Sequence, residues 1–252
     1  MGTTDADLDR TAVIILAGGL GTRLKSVTGD TPKPLVPILG RPFIEYLLDH
    51  LRSMGFEHLF VTASYRFDLM DAAIAQYRAR TGSAVVVLEE PVAAGTFGAV
   101  LQAEPHVPRQ LGAFLILNGD SLINADYRLV LSALTHRDGV VSGVQVADCG
   151  RFGALRVDAT GRLRAFAEKA ASGPGTINAG VYAFRRSAIL KIPLSTPASM
   201  EFDFMPAAVN ALNLGMADLG SADFIDIGTP ASYKAAEQFE LIIRLRTDPA
   251  RL

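Results

Sequence analysis

The sequence predicts an α/β fold: a mainly parallel mixed sheet flanked by helices on both faces, with a small antiparallel lobe added in the second half. Three observations carry this prediction. Short apolar runs rich in β-branched residues recur without polar alternation, as strands covered on both faces require. Stretches with helical apolar spacing separate these runs, which is the pattern of strand–helix–strand units. The residues with the most chemical character follow directly after two of the runs, where open parallel sheets bind ligands.

The elements follow in order. Residues 12–17, AVIILA, form the first predicted strand. Residues 42–55 read as a helix, with Phe43, Leu47, Leu51 and Met54 on one face, Pro42 at the entry and Gly55 at the exit. Strands are expected at 58–64, 84–90 and 112–120, with helices at 67–80 and 98–103. In the second half, candidate strands at 140–146, 153–157, 162–167 and 179–184 suggest the antiparallel addition, some joined by short turns such as 158–161. A helix over 204–214, a strand over 222–227 and a terminal helix from 231 to about 245 complete the chain. Internal repeats and long linkers are lacking, so a single domain over 1–252 with a flexible start of about 11 residues is expected.

Composition narrows the function. The chain has 252 residues, 49% hydrophobic and 20% charged, enough for one substantial core. Its 24 basic and 26 acidic residues give a formal net charge of -2, which provides neither a nucleic-acid footprint nor a polybasic membrane anchor. Small anionic ligands remain compatible, because a few local donors suffice for a phosphate. Cys149 is the only cysteine, so an intramolecular disulfide is excluded and the side chain is expected to pack as a small hydrophobe. His50, His58, His106 and His136 lack metal-ligand spacing. The polar, acidic N-terminus is unlike a secretory signal, and no apolar run approaches the roughly 20 residues of a membrane span. A soluble cytoplasmic protein is expected. The terminal LIIRLR segment is read as a docking helix or a homodimer contact.

A glycine-rich loop follows the first strand directly: Leu16, Ala17, Gly18, Gly19, Leu20, Gly21, Thr22, Arg23. Glycine lets backbone approach a ligand closely, and successive free N–H groups make an anion site. Arg23 adds a rigid cationic fork suited to phosphate. A plain turn would account for one glycine, not for three with an arginine. Leu24 breaks both better-known alternatives, standing where a dinucleotide loop needs its third glycine and a Walker loop its last. Ten residues after Arg23, Lys33 is held between Pro32 and Pro34, which makes it a plausible triphosphate clamp.

Two acids stand at strand ends. Asp120 closes LNGD, with Asn118 and Gly119 before it, and Asp226 sits between apolar residues in FIDIGTP. Each alone could cap a turn. Together they meet the requirement of Mg²⁺, which commonly takes one or two protein carboxylates plus phosphate oxygens. The chemistry implied is nucleotidyl transfer without a protein nucleophile, in which charge neutralisation and alignment carry the rate.

The runs LAGGLGTRL, TPKPLVPI, LNGDSL, FAEK, INAG and FIDIGTP, in this order, resemble the sugar-1-phosphate nucleotidyltransferase family over residues 13–233. Within it the chain most resembles the D-glycero-D-manno-heptose 1-phosphate guanylyltransferases. The resemblance implies a Rossmann-like, glycosyltransferase-A-like fold and a reaction of an NTP with a sugar 1-phosphate, giving an NDP-sugar and pyrophosphate. It assigns Arg23, Lys33 and Asp120 to catalysis, and Asp120 and Asp226 to Mg²⁺. Leu16, Ala17, Gly18, Gly19, Gly21, Thr22, Arg23, Glu90, Gly95, Thr96, Asn118 and Gly119 fall to the nucleotide. Gly153, Glu168, Lys169, Asn178 and Gly180 fall to the sugar phosphate. Heptose 1-phosphate with GTP is the leading substrate pair. A hexose 1-phosphate with another NTP, or a catalytically silent regulatory subunit on the same fold, is the alternative. One departure stands out: the loop after Glu90-Pro91 is two residues longer than in that branch and carries Phe97 where glycine is expected. Phe97 either stacks on the base or fills the core, and the core is favoured.

Overall fold

The computed structural model describes residues 5–19, 29–150, 153–167 and 172–247. Strand β1 (Thr11–Leu16) is buried along its whole length. Helix α1 (Phe43–Ser53), strand β2 (Leu59–Ala63), helix α2 (Phe67–Thr81), strand β3 (Val86–Glu89), helix α3 (Gly95–Ala103) and strand β4 (Ala113–Asn118) follow. β1 pairs in parallel with β2 and β4, and β2 pairs in parallel with β3. The resulting order β3–β2–β1–β4 is Rossmann-like, and it places the C-terminal ends of four strands along one rim.

Next come strand β5 (Ser121–Ile123), helix α4 (Arg128–Ser132) and strands β6 (Gly139–Val146), β7 (Ala154–Val157), β8 (Leu163–Ala167) and β9 (Gly175–Arg185). The antiparallel addition continues the main sheet. β9 runs antiparallel to β4 on one side and to β6 on the other, and its first half also meets β7. Its register shifts between Asn178 and Tyr182, and Gly180 there has φ +76°. Glycine tolerates that conformation without cost, so the strand can bend across the end of β4.

The rest of the chain differs from the expected pattern. In place of one helix over 204–214 there is a π-helical turn, Met200–Phe204, then α5 (Met205–Ala211) and a strand β10 (Leu214–Asp218) parallel to β6. β11 (Phe224–Asp226) pairs with β5 in a separate two-stranded sheet. The single terminal helix is two, α6 (Pro230–Ala236) and α7 (Glu240–Thr247), with Phe239 at the break packed against the core. Leu241, Ile242 and Leu245 of α7 are buried against this chain's own core, so the segment docks. Within the N-terminal stretch expected to be flexible, Asp5–Leu8 forms a short helix whose Leu8 is buried.

Alternate residues of β1, and Ala17 just after it, feed two cores, one on each face of the sheet. Val13, Ile15 and Ala17 join α1 and α2, whereas Ala12, Ile14 and Leu16 join α3 and α5. Cys149 is buried, as expected. Phe97 is fully buried and stacks on Phe204 at 4.1 Å between ring centroids, which settles its place in the core. Among the described residues no helix is long and apolar enough to cross a membrane.

Candidate active site

The rim of the parallel strands collects the predicted residues. Gly18 follows β1, Ser64 follows β2 and Glu90 follows β3. The Ser64 hydroxyl donates to the Gly18 carbonyl at 2.9 Å. A Cβ on Gly18 would lie 2.5 Å from Glu90 Oε1, so only glycine admits the carboxylate there. Glu90 is buried, and its Oε1 has no hydrogen-bond partner among the described residues. Burial pushes its pKa above the usual carboxylate range, with Thr62 acting in the opposite sense. An orphaned buried carboxylate is costly unless a donor arrives to meet it. Gly19 has open space around it. Leu16 and Ala17 turn their side chains into the cores, and the Leu16 carbonyl accepts from Gly119 N at 2.9 Å.

At the end of β4, a Cβ on Gly119 would meet that Leu16 oxygen at 2.8 Å. The neighbouring Asn118 lies against Gly180, where a Cβ would meet Asn118 Nδ2 at 2.8 Å. Asn178, two residues earlier, donates its backbone N–H to Gly153 at 2.7 Å and accepts from Gly180 N at 3.1 Å. Thus Asn118, Gly119, Gly153, Asn178 and Gly180 gather at one place.

Asp120 and Asp226 are 106 positions apart in sequence and share one cation. Lys33 Nζ lies 2.5 Å from Asp120 Oδ2 and 3.5 Å from Asp226 Oδ1. The β5–β11 pair creates this meeting, because Asp226 registers opposite Ser121, the residue after Asp120. Ser121 Oγ donates to Asp120 Oδ1 at 3.1 Å, and Gly228 N donates to Asp226 Oδ1 at 2.6 Å. A Cβ on Gly228 would collide with the Asp226 carboxylate and approach Lys33 Nζ to 3.1 Å. Lys33 opens a 3₁₀ turn (Lys33–Leu35) whose Pro34 and Leu35 are buried. After this turn Pro37–Ile38 pairs antiparallel with Arg41–Pro42, and this small hairpin is tied down by Tyr233 of α6, whose hydroxyl donates to the Pro37 carbonyl at 2.9 Å. The capping box of Thr229 and Ser232 starts α6 immediately after Gly228, so the segment carrying Asp226 is firmly anchored. Two carboxylates facing one positive centre form a donor set that could hold a divalent cation whose other ligands are phosphate oxygens and water.

The loop after Glu90-Pro91 has its own anchor. Phe97 N and Gly98 N both donate to the Ala198 carbonyl, at 2.9 and 3.2 Å. Gly95 has φ +77° and no room for a Cβ beside Ala198, so its identity is explained by the backbone. Thr96 Oγ1 accepts from Met200 N at 2.7 Å.

Gly21, Thr22, Arg23, Glu168 and Lys169 lie outside the described residues. Sequence reasoning missed Ser64, Ser121, Gly228, Tyr182 and Glu201. Gly228 stood within the quoted FIDIGTP run and Ser121 within LNGDSL, whereas Ser64, Tyr182 and Glu201 carry no local signal.

The fold and the clustered residues define an α/β protein with a candidate site on the strand rim. The family model described as Nucleotidyl transferase matches residues 12–241, and the chain belongs to that family. It is 30% identical over 222 residues to D-glycero-alpha-D-manno-heptose 1-phosphate guanylyltransferase of Campylobacter jejuni, covering 87% of this chain and 96% of that protein. It is 31% identical over 226 residues to mannose-1-phosphate guanylyltransferase of Mycobacterium tuberculosis, covering 87% of this chain and 62% of that longer protein. The crystal structure of HddC from Yersinia pseudotuberculosis superposes with a TM-score of 0.80 at 34% identity, covering 90% of this chain and 98% of that one.

Proposed function

We propose that this chain transfers the guanylyl group of GTP to a heptose 1-phosphate, giving a GDP-heptose and pyrophosphate. The observation that carries this reading is the convergence of Lys33, Asp120 and Asp226 beside the glycine-rich rim. Heptose is favoured because the guanylyltransferase for that sugar is matched over nearly its whole length. HddC has also been crystallised with GMP-PN. Guanine suits the buried Glu90 as well: its N1–H and exocyclic amine present two parallel donors, which one carboxylate can accept together. The mannose 1-phosphate enzyme supports a hexose as the second reading.

In the reaction an oxygen of the sugar 1-phosphate attacks the α-phosphorus. The bond to the bridging oxygen breaks, and pyrophosphate leaves with that electron pair. Lys33 and Arg23 hold phosphate oxygens and offset the charge of two anions brought together. Gly18 and Gly19 allow the nucleotide close to the backbone. Asn178, Gly180 and Gly153 line the sugar side, and the family resemblance assigns Glu168 and Lys169 to the same substrate. Magnesium on Asp120 and Asp226 would supply further neutralisation of phosphate charge. The cytoplasm, where GTP and sugar phosphates are available, is the compartment we assign.

The test is pyrophosphate release from five nucleoside triphosphates against heptose, mannose and glucose 1-phosphates, with and without Mg²⁺. Release with GTP, heptose 1-phosphate and metal is expected. Folded protein silent towards every pair would favour a regulatory subunit instead. In the active protein, Arg23→Ala is expected to lower turnover roughly 10²–10³-fold, the usual cost of one charge-stabilising donor.

A further inference from the structure

Glu201 lies outside every segment that the reaction above uses, yet its carboxylate stands between the two substrate sides. It projects from the π-helical turn Met200–Phe204, a form that occurs mostly as single turns and is frequent at functional sites. Ser199 fixes the turn by accepting from Glu201 N and Phe202 N at 3.2 Å each. The carboxylate takes three hydroxyl donors: Tyr182 at 3.2 Å on Oε1, and Ser199 at 3.3 Å and Thr96 at 3.4 Å on Oε2. Among the described residues it forms no ion pair, and the donors that meet its charge there are these three hydroxyls.

These contacts have a direction. Thr96 already accepts from Met200 N at 2.7 Å, so its hydroxyl proton is free to point at Glu201. Tyr182 is wholly buried, and burial together with the Glu201 charge holds its pKa well above the ordinary value. It therefore stays a phenol and donates to Glu201. Its oxygen then accepts from Asn178 Nδ2 at 2.7 Å, while Asn178 Oδ1 accepts from Gly180 N at 3.1 Å. The amide can be assigned only one way in this chain, since the nitrogen must face the phenol and the oxygen the backbone N–H. Its second N–H and second lone pair remain for a ligand.

We infer that Glu201 is a positioning residue: through Tyr182 it fixes the Asn178 amide for an acceptor hydroxyl, and through Thr96 it ties that amide to the loop of the nucleotide side. The inference rests on the assignment of Asn178 to the sugar 1-phosphate. A neutral Glu201→Gln side chain fills the same space but brings an N–H₂ group that can point at Tyr182 or Thr96. The phenol is then no longer obliged to donate inward, and the Asn178 amide loses its fixed orientation.

The experiment compares steady-state kinetics of wild type, Glu201→Gln, Tyr182→Phe and the double variant, with melting temperatures measured alongside. Glu201→Gln is expected to raise KM for the sugar 1-phosphate at least tenfold, with KM for GTP changed less than threefold. Tyr182→Phe should do the same, and the double variant should be no worse than the weaker single one, since both interrupt one chain of contacts. Glu201→Asp, which keeps the charge, should recover part of the loss. Equal loss in both KM values tracking a fall in melting temperature, or multiplicative loss in the double variant, would overturn the inference and leave Glu201 a purely structural residue. An active wild type with an unchanged Glu201→Gln variant overturns it as well. A wild type inactive with every substrate pair overturns the functional reading itself, and this inference with it.

Discussion

Asp120 leaves β4 on a residue that cannot be larger than glycine, and Lys33 reaches it from a turn stiffened by prolines. Removing one charge from such a cluster leaves the others in place but mismatched. Asp120→Asn is therefore expected to abolish pyrophosphate release while the melting temperature stays near wild type. Full activity in that variant would take Asp120 out of the metal set. Glu90 offers a second test at this scale. If its buried carboxylate reads guanine, Glu90→Gln keeps the shape but pairs one donor where two were met. The expected cost is about 1–3 kcal/mol in kcat/KM for GTP, and the check is GTP against ATP in the variant and the parent. An unchanged preference would separate Glu90 from the base. Lys33, Asp120 and Asp226 were legible because rare chemistry stood beside prolines, glycines and strand ends. Glu201 and Tyr182 were not, because one of two acids in SMEFDF and a tyrosine in an apolar strand look like ordinary surface and core.

At the scale of elements, periodicity found the buried parallel strands and failed where the chain changes period within a few residues. Residues 204–214 hold apolar groups at helical spacing, yet the helix stops at Ala211 and Leu214 opens β10, which Leu214–Asp218 forms by pairing with β6. Strand and helix cannot be told apart in so short an apolar run without knowing which edge is free. The strand expected over 222–227 contains β11, but its pairing with β5 was beyond reach, since three-residue β5 carries almost no pattern, although this pair is what joins Asp120 to Asp226. Phe97 shows the same physics from the other side. Its departure from the expected glycine drew attention to the base, whereas its ring packs between α3 and the turn carrying Phe204. Phe97→Ala is accordingly expected to cost about 3–5 kcal/mol of stability while leaving the choice of nucleotide unchanged. Chemical denaturation and a nucleotide panel check the two halves, and an altered base preference at full stability would return Phe97 to the nucleotide.

Across the whole molecule, two cores share one sheet, and most polar groups inside them are neutral or paired. Asp49 of α1 meets Arg41 at 2.6 Å and the Tyr77 hydroxyl at 2.7 Å. His50, the next residue, is handled differently. Its imidazole Nε2 is bonded to the Ala125 carbonyl at 2.9 Å, and its ring meets Tyr127 edge-on. Its pKa is lowered to about 4: burial is the largest cause, the bond to Ala125 and the charge of Asp126 oppose it, and Arg244 of α7 acts in the same direction as burial. In the unfolded chain the same group titrates near about 6.5. Between these values the unfolded state binds the extra proton, so the contribution is complete above about pH 6.5 and is lost as pH falls towards 4. The loss amounts to about 3 kcal/mol when the titration is complete. Other groups titrate in this range too, so the measurement is a difference. Stability from urea denaturation is compared between wild type and His50→Gln at pH 7 and at pH 4. Glutamine is expected to lower stability at pH 7 by losing ring packing, and then to fall less steeply than wild type, so the gap narrows or reverses in acid. Two parallel curves would mean that His50 takes its proton without opening the contact between α1 and the segment at Ala125, and the acid sensitivity of the fold would have to lie elsewhere.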